Sequence, residues 1–414
     1  MRSTILWLFA VAAALPAPRD AGALVTNGAG DKKAALSKAT ARVIPAWARK
    51  YNANCSLCHS PAVPRLNAKG IQFKWAGYRM LEEIGEKAEV NNIQEYVAAR
   101  AVFDYDYEKT QGESTERSGF NTSNLSLFVG GPIGKSYGGL LELARESEGG
   151  GEGEVEVLAA GATAWGNAER FGGLRFGTGH MLLTGGGVAG FDRAIGISKP
   201  LPLGEPTAAV PLALGGDLTG AEAYFVTGRN RVSVQVLNAL AVEEGTTNTW
   251  KDIVVTDQFI WDDAGAGVGV AAYFGKAKGV NALSPEATSS FSRVALTANK
   301  YFGDFELLGG YVLSRDRDIT TGAGSVADND GSAYWVSGQY TLRPTKWTFF
   351  SRWEVVDPNN DESDDSARRF VLGGVLPVNV PEFMKVALEY RLDRPQGAGN
   401  SRTNAIAAQF MLTF

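Results

Sequence analysis

From about Arg100 to its last residue the chain alternates apolar and polar positions with a period of two. Phe103, Tyr105 and Tyr107 alternate with Asp104, Asp106 and Glu108, and Leu141 and Leu143 with Glu142 and Ala144. Val232, Val234 and Val236 alternate with Arg231, Ser233 and Gln235, and Trp347, Phe349, Trp353 and Val355 with Thr348, Arg352 and Glu354. Met384, Val386, Leu388, Tyr390 and Leu392 do the same with Lys385, Ala387, Glu389 and Arg391. This is the period of a strand with one apolar and one polar face. Segments of about ten residues match the length that crosses an outer membrane when tilted.

The pattern predicts strands near 100–109, 119–131, 137–146, 153–165, 171–183, 219–227, 230–240, 251–261, 266–276, 289–301, 304–314, 332–342, 346–356, 367–378, 382–392 and 403–414. That is about sixteen, an even number as bacterial barrels require. Short links, such as Gly228-Arg229 and Phe302-Gly303, alternate with long ones, such as Thr184 to Leu218 and Arg315 to Gly331. Short turns on one rim and long loops on the other are the mark of a transmembrane β-barrel. The chain also ends on an apolar alternation closed by Phe414. That ending resembles the C-terminal signature by which outer-membrane barrels are recognised for assembly.

Composition fits the same reading. The chain has 414 residues, 50 of them glycine, and a net charge of −5. A soluble secreted β protein shares that profile, but it has no reason to keep the alternation of link lengths. No basic cluster stands out, so nucleic acid is not an expected partner. The first residues, Met1-Arg2-Ser3-Thr4 followed by an apolar run from Ile5 to Leu15 and then Ala21-Gly22-Ala23, read as a secretory signal peptide.

Candidate chemistry lies ahead of the strands. The chain has two cysteines and two histidines, and three of these four residues fall in Cys55-Ser56-Leu57-Cys58-His59. The order C-x-x-C-H marks covalent c-type haem attachment. Two thiols at that spacing each form a thioether to one haem vinyl group, and the adjacent imidazole is held under the iron as proximal ligand. A thioredoxin-like redox pair or a local disulfide is the other reading of a lone CxxC. The segment is too small to fold readily by itself, so the covalent haem and the surrounding wall are both expected to support it. Four parts follow: a signal peptide at 1–23, a flexible lead-in at 24–38, a monohaem cytochrome c segment at 39–99, and an outer-membrane barrel at 100–414.

The segment carries Asn54-Cys55-x-x-Cys58-His59, Pro64-Arg65-Leu66-Asn67-x-x-Gly70-x-x-Phe73-Lys74 and Gly77-Tyr78. In these residues it resembles the fused monohaem cytochrome-porins of the outer-membrane iron-oxidase type. The resemblance implies a haem domain tucked into the barrel that takes electrons from extracellular ferrous iron and passes them to a periplasmic c-type cytochrome or other soluble carrier. It thus implies Fe(II):cytochrome c oxidoreductase activity in the outer membrane of a Gram-negative bacterium. The haem segment is expected on the periplasmic side or inside the barrel. Two other functions fit the residues: a diffusion porin with a structural or sensory haem plug, and a conduit to an extracellular acceptor.

The sixth iron ligand is open between two residues. Met80 is the only methionine of the haem segment, and a thioether opposite His59 raises the reduction potential. His180 lies on an expected strand. Asp104, Asp106, Glu142, Glu154, Glu156, Arg352, Lys385, Glu389 and Arg391 are expected to face the lumen, where they seat a plug, attract cations or simply solvate. Asp357, Asp361, Glu362, Asp364 and Asp365 form an acidic loop cluster, and Asp328-Asn329-Asp330-Gly331 resembles part of a calcium loop. A solvated external loop is the plainer account of both.

Overall fold

The computed structural model describes residues 46–59, 65–112, 116–146, 154–178, 195–203, 214, 219–238, 250–278, 288–321, 324–325, 328–343, 345–362, 365–378, 384–394 and 402–414. Sixteen long strands form the wall. They are β1 (Val97–Thr110), β2 (Glu116–Ile133), β3 (Tyr137–Glu146), β4 (Glu154–Thr163), β5 (Arg170–Gly177), β6 (Gly220–Thr227), β7 (Asn230–Asn238) and β8 (Lys251–Ile260). The second half comprises β9 (Gly267–Lys278), β10 (Thr288–Phe302), β11 (Phe305–Thr321), β12 (Asn329–Leu342), β13 (Trp347–Asp357), β14 (Ala367–Pro377), β15 (Met384–Arg394) and β16 (Thr403–Thr413). Two-residue pieces at Trp165–Gly166 and Gly324–Ser325 extend the same sheet.

Each strand pairs antiparallel with its neighbours in sequence, and β1 pairs with β16, from Arg100 opposite Thr413 to Thr110 opposite Thr403. The sheet is therefore closed and has no free edge, the condition for strands in hydrocarbon, where every backbone group must be paired within the protein. No helix among the described residues is long and apolar enough to cross a membrane. The wall crosses with strands.

Burial along the strands is inverted relative to a soluble protein. Val232, Val234 and Val236 are exposed on the outside of β7, while Arg231, Ser233 and Gln235 between them are buried. The same holds on β13, where Trp347, Phe349 and Trp353 face out and Thr348, Arg352 and Glu354 face in. Lipid accepts the apolar face, and the polar face meets what fills the lumen. Tyr137, Phe302, Phe305, Tyr340, Trp347 and Phe414 are exposed near the short turns, as the aromatic belt of one membrane interface.

Two stretches fill the lumen. The first is the segment ahead of β1, with helices α1 (Ala46–Lys50) and α2 (Ala68–Trp75) and short 3₁₀ turns at Cys55–Leu57, Leu81–Glu83 and Ile93–Glu95. The second is 195–203 with Leu214, between β5 and β6. The sequence places those residues in a long external link. Instead Leu203 and Leu214 pack in one cluster with Leu237, Val254, Tyr273, Phe291 and Trp335 of the inner wall, and Ile195 packs with Phe350 and Val371. The link carries Ile195, Ile197, Leu201 and Leu203, and burying them inside the wall removes their apolar surface from water.

Candidate functional site

The motif is built on a 3₁₀ turn. Cys58 N and His59 N both donate to Cys55 O, at 3.2 and 2.9 Å, which turns the two thiols and the imidazole out of one tight bend. The N-terminus of α2 staples the bend. Asn67 caps the helix by accepting from Gly70 N, its side-chain amide donates to Ser56 O and Leu57 O, and its backbone N–H donates to Cys58 O. Gly70 is required by contact: a Cβ there would fall 2.2 Å from Cys58 O. These contacts are a physical reason for asparagine at 67 and glycine at 70.

Cys55 and Cys58 are not joined in a disulfide. Burial pushes the Cys58 thiol up to about 11, so it is neutral at pH 7. His59 Nδ1 lies 2.9 Å from Arg65 O. A carbonyl only accepts, so Nδ1 carries the proton and the ring lone pair is on Nε2. This is the tautomer a metal-binding histidine takes when a backbone carbonyl holds its other nitrogen. Two thiols at this spacing, an imidazole of fixed tautomer and the apolar cluster beside them fit a covalent haem c.

That cluster contains Met80. Phe73, Tyr78 and Met80 are buried together and pack with Trp47, Tyr51, Leu57 and Leu140. Leu57 comes from between the two cysteines, so Met80 is gathered beside the motif. Trp47 stacks on Tyr78 at 5.6 Å and meets Phe73 edge-on at 5.0 Å. Tyr78 has φ +63°, an uncommon conformation for a bulky residue, and follows Gly77 at φ +71°. Gly77 O in turn approaches Gly138 so closely that a Cβ there would fall 1.8 Å away. His180 lies outside the described residues.

Directional contacts hold the segment to the wall near the short turns. Arg79 is fully buried and donates to Lys135 O at 2.7 Å and Tyr137 O at 2.6 Å. Trp47 Nε1 donates to Gly130 O, Ala68 N to Asp263 O, and Ala88 pairs with Gly134 as a bridge. Arg65 pairs with Glu306 in a buried ion pair. Trp75 and Ile71 pack against Phe171, Tyr224, Val226 and Ile260. Beside them Glu222 accepts from Arg231 at 2.7 Å and lies 3.6 Å from Arg175, both guanidinium groups stand over the Tyr224 ring, and Arg175 also donates to Lys74 O. Sequence reasoning did not single out Arg79, Glu222 or Glu306. Their only signal was a charge where a strand or a small segment turns inward.

Of the charges expected to face the lumen, Arg352, Lys385 and Glu389 are buried on the inner wall. Glu389 accepts from Ile197 N, Ser198 N and Ser198 Oγ, and Glu354 accepts from Leu201 N. Glu142 pairs with Arg100, Arg391 pairs with Asp393, Asp104 is half-buried and Asp106 is exposed. The side chains of Glu154 and Glu156 lie outside the described residues. Asp328 and Asp330 both pair with Arg317, and Asn329–Gly331 belong to β12, which accounts for them without calcium. Asp364 lies outside the described residues, and no group of three or more His, Cys, Asp or Glu able to hold a metal ion occurs among them.

No protein-family model and no curated protein sequence matches the chain. Solved structures do. The chain is similar to an anion-selective porin from Comamonas acidovorans, with TM-score 0.56 and 13% identity over 77% of this chain and 98% of that one. It is also similar to the outer-membrane channel DcaP of Acinetobacter baumannii, with TM-score 0.54 and 12% identity over 77% of this chain and 96% of that one. OmpT of Vibrio cholerae gives TM-score 0.53 and 12% identity over 76% and 97%. The barrel has the porin fold of outer-membrane proteins. At these identities the likeness defines the fold alone.

Proposed function

We propose that this protein is an outer-membrane electron-transfer protein. It carries one covalent haem c and moves electrons from an extracellular donor, ferrous iron foremost, to a periplasmic c-type cytochrome or other soluble carrier. The observation that carries the reading is the placing of Cys55 and Cys58, not joined in a disulfide, beside a histidine whose Nδ1–H is held by Arg65 O, inside a porin-fold wall. When bound, the haem supplies a one-electron centre within an insulating layer roughly 30 Å thick. Cys55 and Cys58 would hold it by thioethers, and His59 would offer Nε2 to the iron. Met80, buried beside the motif, would be the candidate second ligand. Phe73, Tyr78 and Trp47 keep water from the site, which lowers the local dielectric. The segment's contacts with the short-turn rim support a delivery side toward the periplasm.

The test is direct. Ferrous iron added to the oxidised holoprotein should change the haem absorbance in stopped flow, and a periplasmic cytochrome should then be reduced; an unchanged trace sinks the iron reading. His59→Ala should leave an assembled barrel without normal low-spin spectra. Met80→Ala should lower the potential or open a coordination site, and an unaltered spectrum removes Met80 as ligand. A second reading, a diffusion porin with a haem plug, draws on the porin fold itself. It requires solute flux through the native protein in liposomes.

A further inference from the structure

Arg65 faces two ways. Its carbonyl takes the His59 Nδ1–H, while its side chain enters the wall and pairs with Glu306 of β11. The two side chains are 4% and 3% exposed, so the pair is shut off from water. Glu306 is itself aimed. Asn299 of β10 donates Nδ2 to Glu306 Oε1 at 2.7 Å, and Asn299 Oδ1 accepts from Gly267 N of β9 at 2.9 Å. Hydrogen bonds joined through the covalent frames of Asn299, Glu306 and Arg65 therefore connect the backbone of β9 to the imidazole. The neighbouring backbone is held as well, since His59 and Leu66 form a bridge and Asn67 N donates to Cys58 O.

We infer that Glu306 and Asn299, two residues of the barrel wall, are positioning residues for the proximal histidine. This rests on the haem reading above. The wall fixes the Arg65 carbonyl, the carbonyl fixes the ring plane and tautomer of His59, and the strength of that Nδ1–H···O bond sets how basic Nε2 is. A firmly held acceptor makes the imidazole a better donor to ferric iron, which lowers the reduction potential. Loosening the acceptor raises it. The redox centre is thus tuned from outside its own segment, by the strands that carry it.

The experiment uses the full-length holoprotein in detergent or liposomes. Covalent haem is first counted by pyridine haemochromogen; a wild type without it ends the haem reading itself, independently of what Glu306 does. In haem-loaded protein, Glu306→Gln should retain one haem and a closed barrel while shifting the electron-exchange equilibrium with a reference carrier about tenfold toward reduced haem. For one electron that is about 59 mV upward. The low-spin EPR g-values should move with it. Glu354→Gln, an equally buried wall carboxylate that holds Leu201 instead, should leave both unchanged. Full haem with wild-type potential and g-values in Glu306→Gln overturns the inference, and so does an equal shift in Glu354→Gln. Should Glu306→Gln not assemble, Glu306→Asp and Asn299→Ala, which keep the charge at Arg65, are read by the same criteria, with a smaller shift in the same direction expected.

Discussion

The two fillings of the lumen are held in different ways. The segment ahead of β1 packs Ile71 and Trp75 on the wall and adds donors aimed at acceptors along its length: Arg79 on Lys135 O and Tyr137 O, Arg49 on Gln94 O and Val97 O, Trp47 on Gly130 O and Arg65 on Glu306. The returning stretch 195–203 has its aimed bonds gathered at 197–201, where Glu389 and Glu354 receive three backbone N–H groups and Arg352 donates to Ser198, while Ile195 and Leu203 at its ends rest on apolar side chains. Apolar packing is non-directional and tolerates sliding, whereas an aimed hydrogen bond fixes orientation. One filling is built for a set geometry, the other for a seal.

Two measurements bear on that contrast and a third on the rim, in falling order of effect. Arg79→Ala removes a buried guanidinium and strips two part-buried carbonyls of their donors, at about 1–3 kcal/mol each, so the loss should be roughly 4 kcal/mol. The urea transition of the haem segment, followed by tryptophan fluorescence, should move to lower urea while the β-sheet circular dichroism holds. If both move together, the segment and the wall are one cooperative unit and the distinction fails. Leu203→Ala should cost about 3 kcal/mol through the cavity it leaves. Its readout is conductance in planar bilayers, which should rise as the seal loosens, with haem spectra unchanged.

The smallest effect is one of pH, at the external rim. Burial first, with the Glu362 charge adding to it against opposing hydrogen bonds, raises the Asp365 carboxyl above its ordinary value of 3.8. A raised carboxylate favours the folded loop when protonated. That support is whole below the ordinary value and is lost as pH rises through the raised one. The protection of the amides of residues 358–362, after division by the intrinsic exchange rate at each pH, should therefore fall as pH rises above 3.8, and protection independent of pH would show that Asp365 is unperturbed.

The strands were readable because lipid enforces a simple rule: every second side chain must be apolar. Val232, Val234 and Val236 obey it without reference to any partner. The C-x-x-C-H motif was readable because three of the chain's four cysteines and histidines fall within five residues. The latches were not. An inward Glu306 looks like any lumen charge until Arg65 is placed opposite it, 241 positions away in sequence. Asp328 and Asp330 likewise resembled a cation loop until Arg317 was set between them. The stretch 195–203 escaped for another reason, since its apolar residues follow no period of a strand or helix and declare only that something must cover them.

The way the wall begins and ends bears on how the protein is made. Arg49 of α1 donates to Val97 O at the first residue of β1, and Phe414, the last residue, pairs with Ala99 through both backbone groups. The first strand is tied to the inner segment, and the final strand closes against that tied strand. The closing contacts of the cylinder therefore lie on the strand that the inner segment holds. On the haem reading proposed above, thioethers to Cys55 and Cys58 would have to form on the open chain, before the seam is sealed, so that biogenesis would run from cargo to container.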